Sequence, residues 1–137
     1  MTLKELSQLY YLNREIEMDK ERLEALRARA SAPGSPNYDG MPKSPSYENR
    51  LERYIAEIVD LEAIISAKIT QCQHERNRLE RYIADIPDSN LRMIFTLRFI
   101  NGLSWVQLAF SIGGDCTADG ARMACNRYIK KTNEQNN

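Results

Sequence analysis

Within residues 118–131 the chain gathers Arg122, Met123, Asn126, Arg127, Lys130 and Lys131 on one short stretch. Arg and Asn carry the paired donors and acceptors that match guanine and adenine edges in a DNA major groove. Lys and Arg also hold phosphates, which positions a protein without reading sequence. The chemistry on offer is recognition of a duplex. Read at the helical period, Ala121, Ala124 or Cys125, Tyr128 and Ile129 make an apolar face. Ala118, Arg122, Met123, Asn126, Arg127 and Lys130 make the opposite one. Arg122, Met123 and Asn126 are the expected base readers. Arg127, Lys130 and Lys131 are the expected phosphate holders. Four basic residues against the single acid Asp119 leave this stretch at net +3.

Such a helix needs a frame, and residues 88–131 supply three short helices separated by two glycine-marked breaks. Leu91, Ile94, Phe95 and Leu97 give the first its apolar face. Asn101-Gly102 ends it, since glycine takes the left-handed conformation without steric cost. Ser104 then suits an N-cap, its hydroxyl accepting from a backbone N–H. Val106, Leu108, Ala109 and Ile112 are the apolar positions that follow, and Gly113-Gly114 stops them. Thr117 is a second N-cap, and Asp119 suits the start of a helix electrostatically. The expected core is Leu91, Ile94, Phe95, Leu108, Ile112, Ala121 and Ile129. Ser104 and Trp105, with Thr117 and Ala118, complete the candidate DNA contacts at the two helix starts. Trp105 reads first as a partly buried anchor, and second as a phosphate contact through its indole N–H.

This pattern resembles region 4 of bacterial sigma factors, a helix-turn-helix module that reads promoter DNA. Leu91, Ile94, Leu97-Arg98-Phe99, Gly102-Leu103-Ser104, Leu108-Ala109, Ile112-Gly113 and the polar-basic helix from Thr117 carry the likeness. More narrowly, nearly all the chain resembles a family of small phage and prophage transcriptional regulators of Gram-positive bacteria. Ser104-Trp105, Gly113-Gly114, Thr117-Ala118-Asp119, Arg122-Met123, Arg127-Tyr128 and the upstream Gly40-Met41-Pro42 carry that match. The resemblance implies a regulator of phage genes, late genes among them, with a base-contacting Arg at position 122. The Gly113-Gly114-Asp115-Cys116 turn is longer than the sigma pattern, so that base contact depends on how the next helix leaves the turn.

Residues 1–86 read as a long antiparallel helical hairpin of coiled-coil type. Thr2-Leu3-Lys4-Glu5 is a capping box. The helix it starts runs to about Ala30, with Leu9, Leu12, Ile16, Leu23 and Leu26 in a stripe that Asp19 interrupts. Residues 31–47 hold four prolines and two glycines, so no helix is expected there. That loop reads as a connector, with Tyr38 and Lys43 as minor candidates for contact with DNA or polymerase. A second helix from about Ser46 to about Asp85 would be on the order of 60 Å long. Its stripe runs from Leu51 through Ile58, Leu61, Ile65 and Cys72 to Leu79, Ile83 and Ile86. It outruns the first, so the part from Ile69 to Ile83 needs cover from the C-terminal module or from a second copy. Pro87 ends it, the helix-turn-helix domain follows at 87–132, and 133–137 is a polar tail. The expected fold is all-α.

Net charge is zero, from 19 basic and 19 acidic residues. It divides into net −2 over residues 1–87 (13 basic, 15 acidic) and net +2 over 88–137 (6 basic, 4 acidic). A +2 module binds DNA weakly by charge alone, so a homodimer or RNA polymerase is expected to help. Cys72, Cys116 and Cys125 form no Cys-x-x-Cys motif and read as reduced thiols of a cytoplasmic protein. Cys72 and His74 lie two apart on a helix, hence on different faces, so no metal is expected. The charged start is not a signal peptide, and no apolar run spans a membrane. One His, no phosphate-binding glycine loop and no clustered carboxylates argue against an enzyme, and no cofactor is expected. The alternatives are a small terminase-like DNA recogniser for phage packaging, which would form a ring, and a module that binds RNA polymerase without reading DNA.

Overall fold

Side chains on α2 (Gln8–Ser31) and α3 (Pro45–Ala84) show how the long amphipathic segments are satisfied. The computed structural model describes residues 1–32 and 45–137. Most of the Pro/Gly-rich loop, with Tyr38, Lys43 and Gly40-Met41-Pro42, lies outside the described residues. The remaining elements are α1 (Leu3–Leu6), α4 (Ser89–Phe95), a π-helical turn (Thr96–Ile100), α5 (Trp105–Ile112) and α6 (Ala118–Gln135). Among the described residues no strand occurs, and the fold is all-α. Ser31 still belongs to α2, and Pro45 opens α3, where its missing N–H costs nothing.

The chain divides into two compact units. One is the single segment Arg14–Thr70. The other joins Met1–Asn13 to Gln71–Asn137. The division does not fall at Pro87.

In the unit Arg14–Thr70, Ile16, Leu23 and Leu26 of α2 are buried, as are Leu61 and Ile65 of α3. Arg27 pairs with Glu62 at 2.7 Å, and Lys68 with Asp19 at 2.6 Å and Glu15 at 3.7 Å. Partner numbers fall along α3 as they rise along α2, so these segments run in opposite directions. Asp19, the flaw in the apolar stripe, is where Lys68 crosses over. The hydrogen bond that Lys68 donates to the Asp19 carboxylate raises the Lys68 pKa.

In the discontinuous unit, Thr2 and Glu5 form the expected capping box, but the helix breaks at Ser7 and restarts as α2. The Ser7 hydroxyl donates to the Leu3 carbonyl at 2.9 Å, offering the backbone a local alternative to a continuous helix. Leu6, Leu9 and Leu12 are buried, as are Leu79 and Ile83 at the end of α3 and Ile86 just past it. Phe95, fully buried, is the hub. Its ring lies 6.2 Å from Tyr82 of α3, 5.4 Å from Phe99 and 5.6 Å from Tyr128 of α6. The end of the α3 stripe therefore finds its cover in the C-terminal residues. Arg92 fastens the junction, donating to the carbonyls of Ile86 at 2.7 Å and Pro87 at 3.0 Å.

The Tyr82 hydroxyl is buried and has no hydrogen-bond partner among the described residues. Burial pushes its pKa up to about 12. A buried hydroxyl left unpaired costs about 1–3 kcal/mol. Tyr82→Phe keeps the ring against Phe95 and removes that cost. It should raise the urea midpoint by an amount equivalent to about 1 kcal/mol at unchanged slope. A lower midpoint would show that the hydroxyl is engaged.

Candidate nucleic-acid interface

Three local devices aim α6. First, Asp88 caps α4, its side chain accepting from Asn90 N at 3.0 Å. The chain then passes through a π-helical turn, in which Asn101 N reaches back to the Thr96 carbonyl at 3.0 Å. Gly102 follows with φ 71°, the left-handed value that ends the helix. Second, Ser104 and Gln107 form a reciprocal capping box at the start of α5. Third, after Gly113 (φ 75°) turns the chain again, the Thr117 hydroxyl accepts from Gly120 N at 3.0 Å and opens α6. A Cβ at Gly120 would sit 2.8 Å from that hydroxyl, so the cap needs glycine there. α6 packs on both α4 and α5.

Ala121, Cys125 and Ile129 form the buried stripe of α6, at 3%, 0% and 7% exposure. Burial raises the Cys125 thiol to about 12, with the Arg98 charge opposing weakly. Ile94, Phe95 and Leu108 join this core, as does Phe99, which the apolar pattern of the first helix did not include. Two expected core members are only half-buried, Leu91 and Ile112. Val106, read as an apolar position of α5, is 72% exposed, and Phe110 one turn on is 89% exposed. An eight-residue helix has room for one inward row, and Leu108 takes it.

The polar residues of α6 are outward. Arg122, Met123, Asn126, Arg127, Lys130 and Lys131 are all exposed. Met123, Asn126, Arg127 and Lys130 follow a 3-4 spacing, which sets them in one row opposite the buried stripe. Arg122 lies on the flank of that row, paired with Asp119 at 3.3 Å. Both partners are solvated, so the pair is weak and easily exchanged for another acceptor. The helix runs to Gln135, past Lys131 and into the stretch read as a polar tail.

The residues at the helix starts have other work. The Ser104 and Thr117 hydroxyls are engaged as caps. Ala118 is half-buried. Trp105 is half-buried too, with the Arg98 guanidinium 4.6 Å from its ring centre. Arg98 also donates to the Leu103 carbonyl at 2.9 Å. Its position beneath the start of α5 had no signal in spacing, because the turn at Gly102 brings it there.

Cys72 is buried and His74 exposed, as their spacing implies. Among the described residues no cluster of His, Cys, Asp and Glu could hold a metal ion, and no helix is long and apolar enough to cross a membrane. The chain matches no protein-family model, no curated protein and no solved structure.

Proposed function

We propose that this chain is a sequence-specific DNA-binding regulator of transcription, built as a helical hairpin followed by a helix-turn-helix of the sigma region 4 kind. The observation that carries this reading is the outward row of α6, polar and basic, on a helix whose other face is held by α4 and α5. Inserted in a major groove, such a helix offers Arg122, Met123 and Asn126 to base edges, and Arg127, Lys130 and Lys131 to phosphates. Chemistry on a substrate is not part of this role, which is exercised in the cytoplasm of a bacterial host on phage promoters. The modest charge of the module fits a homodimer on paired half-sites.

Selection of duplexes from a random-sequence pool, with the mass in solution, tests the proposal. A recovered consensus supports it. Recovery of no sequence preference refutes it, and a ring-sized assembly favours DNA packaging instead. If Arg127, Lys130 and Lys131 each neutralise one phosphate, affinity should fall roughly sixfold for each doubling of salt. Affinity unchanged from low to physiological salt would count against phosphate contact.

One observation favours a second reading. Val106 and Phe110, one turn apart and largely exposed, give α5 an apolar face open to solvent. Such a face suits a protein partner, RNA polymerase among them. The two roles are compatible, and Phe110→Ser separates them: it should spare DNA binding and reduce binding to polymerase.

A further inference from the structure

Tyr10 and Tyr11 are the exposed aromatics that hairpin packing leaves unexplained. They are 46% and 61% exposed, while their neighbours Leu9 and Leu12 do the packing. Their rings meet edge to face, 5.5 Å apart at 80°. Tyr10 also lies against Gly102, where a Cβ would meet its ring carbon at 3.6 Å. The pair is therefore positioned against the turn that precedes α5, and both residues line an open cleft of about 360 Å³ with Ser7, Arg98, Ser104 and Gln107.

The chemistry of this cleft is one-sided. Among the described residues, Arg98 is the single charged one lining it, and no carboxylate does. Ser7, Ser104 and Gln107 are already engaged with the backbone. The donors left to serve a ligand are the two phenol hydroxyls, the Ser104 hydroxyl and the Gln107 amide NH2, whose oxygens alone are engaged, and the Arg98 guanidinium, which has five N–H groups and gives one to Leu103. The start of α5 adds a favourable field for negative charge. The lining is too polar and too open for an apolar small molecule. A phosphodiester suits it: a singly charged oxyanion, presented from outside on a broad surface, that accepts from hydroxyl and guanidinium donors.

We infer that this cleft binds a backbone phosphate of duplex DNA, so that the start of α2 is a second gripping element beside α6. The inference rests on the proposed DNA-binding function. It adds affinity without sequence information, since phosphate contacts position rather than specify.

The test uses the full chain and the duplex recovered by random-pool selection. Tyr10→Phe with Tyr11→Phe keeps both rings and deletes only the hydroxyls. Affinity should fall roughly three- to tenfold on every sequence, with base preference unchanged. Phosphate-ethylation interference should lose one cluster of backbone positions relative to the wild type. Tyr11→Glu sets a negative charge in the cleft and should weaken binding more than about tenfold. An unchanged melting temperature in the Phe pair shows that loss of binding is not loss of fold. Binding within a factor of about two and an unaltered ethylation pattern in the Phe pair would overturn the inference. If Arg122→Ala still alters base preference in that case, the DNA-reading function stands and the second grip alone falls. If the wild type retains no duplex, both fall together.

Discussion

Ala121→Asp should unfold the C-terminal helices. Ala121 is 3% exposed on α6, in the stripe that meets α4 and α5. A carboxylate there has no cation to pair with inside the stripe, whose other members are Cys125 and Ile129. Burying an unpaired charge, or paying to protonate it, costs about 3–5 kcal/mol. That is a large share of the roughly 5–15 kcal/mol by which domains of this size are stable. Arg122→Asp is the control, one residue along and exposed, and should move the melting temperature little. A soluble Ala121→Asp protein with the wild-type melting temperature would overturn the register of α6.

Arg122→Ala should relax discrimination at one base pair, at a cost of about 1–3 kcal/mol. Lys130→Ala should instead weaken binding to all sequences alike. The distinction follows from position. Arg122 lies one turn into α6, where a helix entering by its N-terminus is deepest in the groove. Lys130 lies more than two turns further along, where the helix has risen towards the backbone. The Arg122–Asp119 pair at 3.3 Å is solvated and does not hold the guanidinium back. Arg122 lies on the flank of the outward row, however, and Asn126 nearer its middle. The angle of α6 after the long turn at residues 113–116 decides between them. Both variants, measured against a panel of single-base changes in the selected site, give the answer. Unchanged discrimination in Arg122→Ala with loss in Asn126→Ala would sink the sigma-like register and leave the general reading intact.

What could be read in the sequence was local. Thr2 with Glu5, Ser104 and Thr117 cap helices because a side-chain oxygen satisfies an N–H within three residues. Gly102 and Gly113 end helices because their φ angles are positive. The outward polar row of α6 followed from period alone. What could not be read depends on partners distant in the chain. Val106 points outward because α6 packs on the opposite face of α5, where Leu108 is buried. Asp19 is tolerated on a packing face because Lys68 reaches it from α3. The π-helical turn at 96–100 places one more residue per turn than the periodic pattern allows. Arg98 and the two tyrosines come to line one cleft only through folding.

Phe95 touches Tyr82 on one side and Tyr128 on the other, and the unit around it spans Met1–Asn13 together with Gln71–Asn137. The piece that recombination could exchange between such proteins is therefore not a contiguous C-terminal cassette. A graft cut at Pro87 would import Phe95 without Tyr82 and Arg92 without the Ile86 carbonyl it donates to. Two crossovers, one near the start of the chain and one within α3, are needed to carry that unit intact. On the proposed DNA-binding function, a change of base preference should then come by substitution along the exposed row of α6 more readily than by exchange of the whole unit.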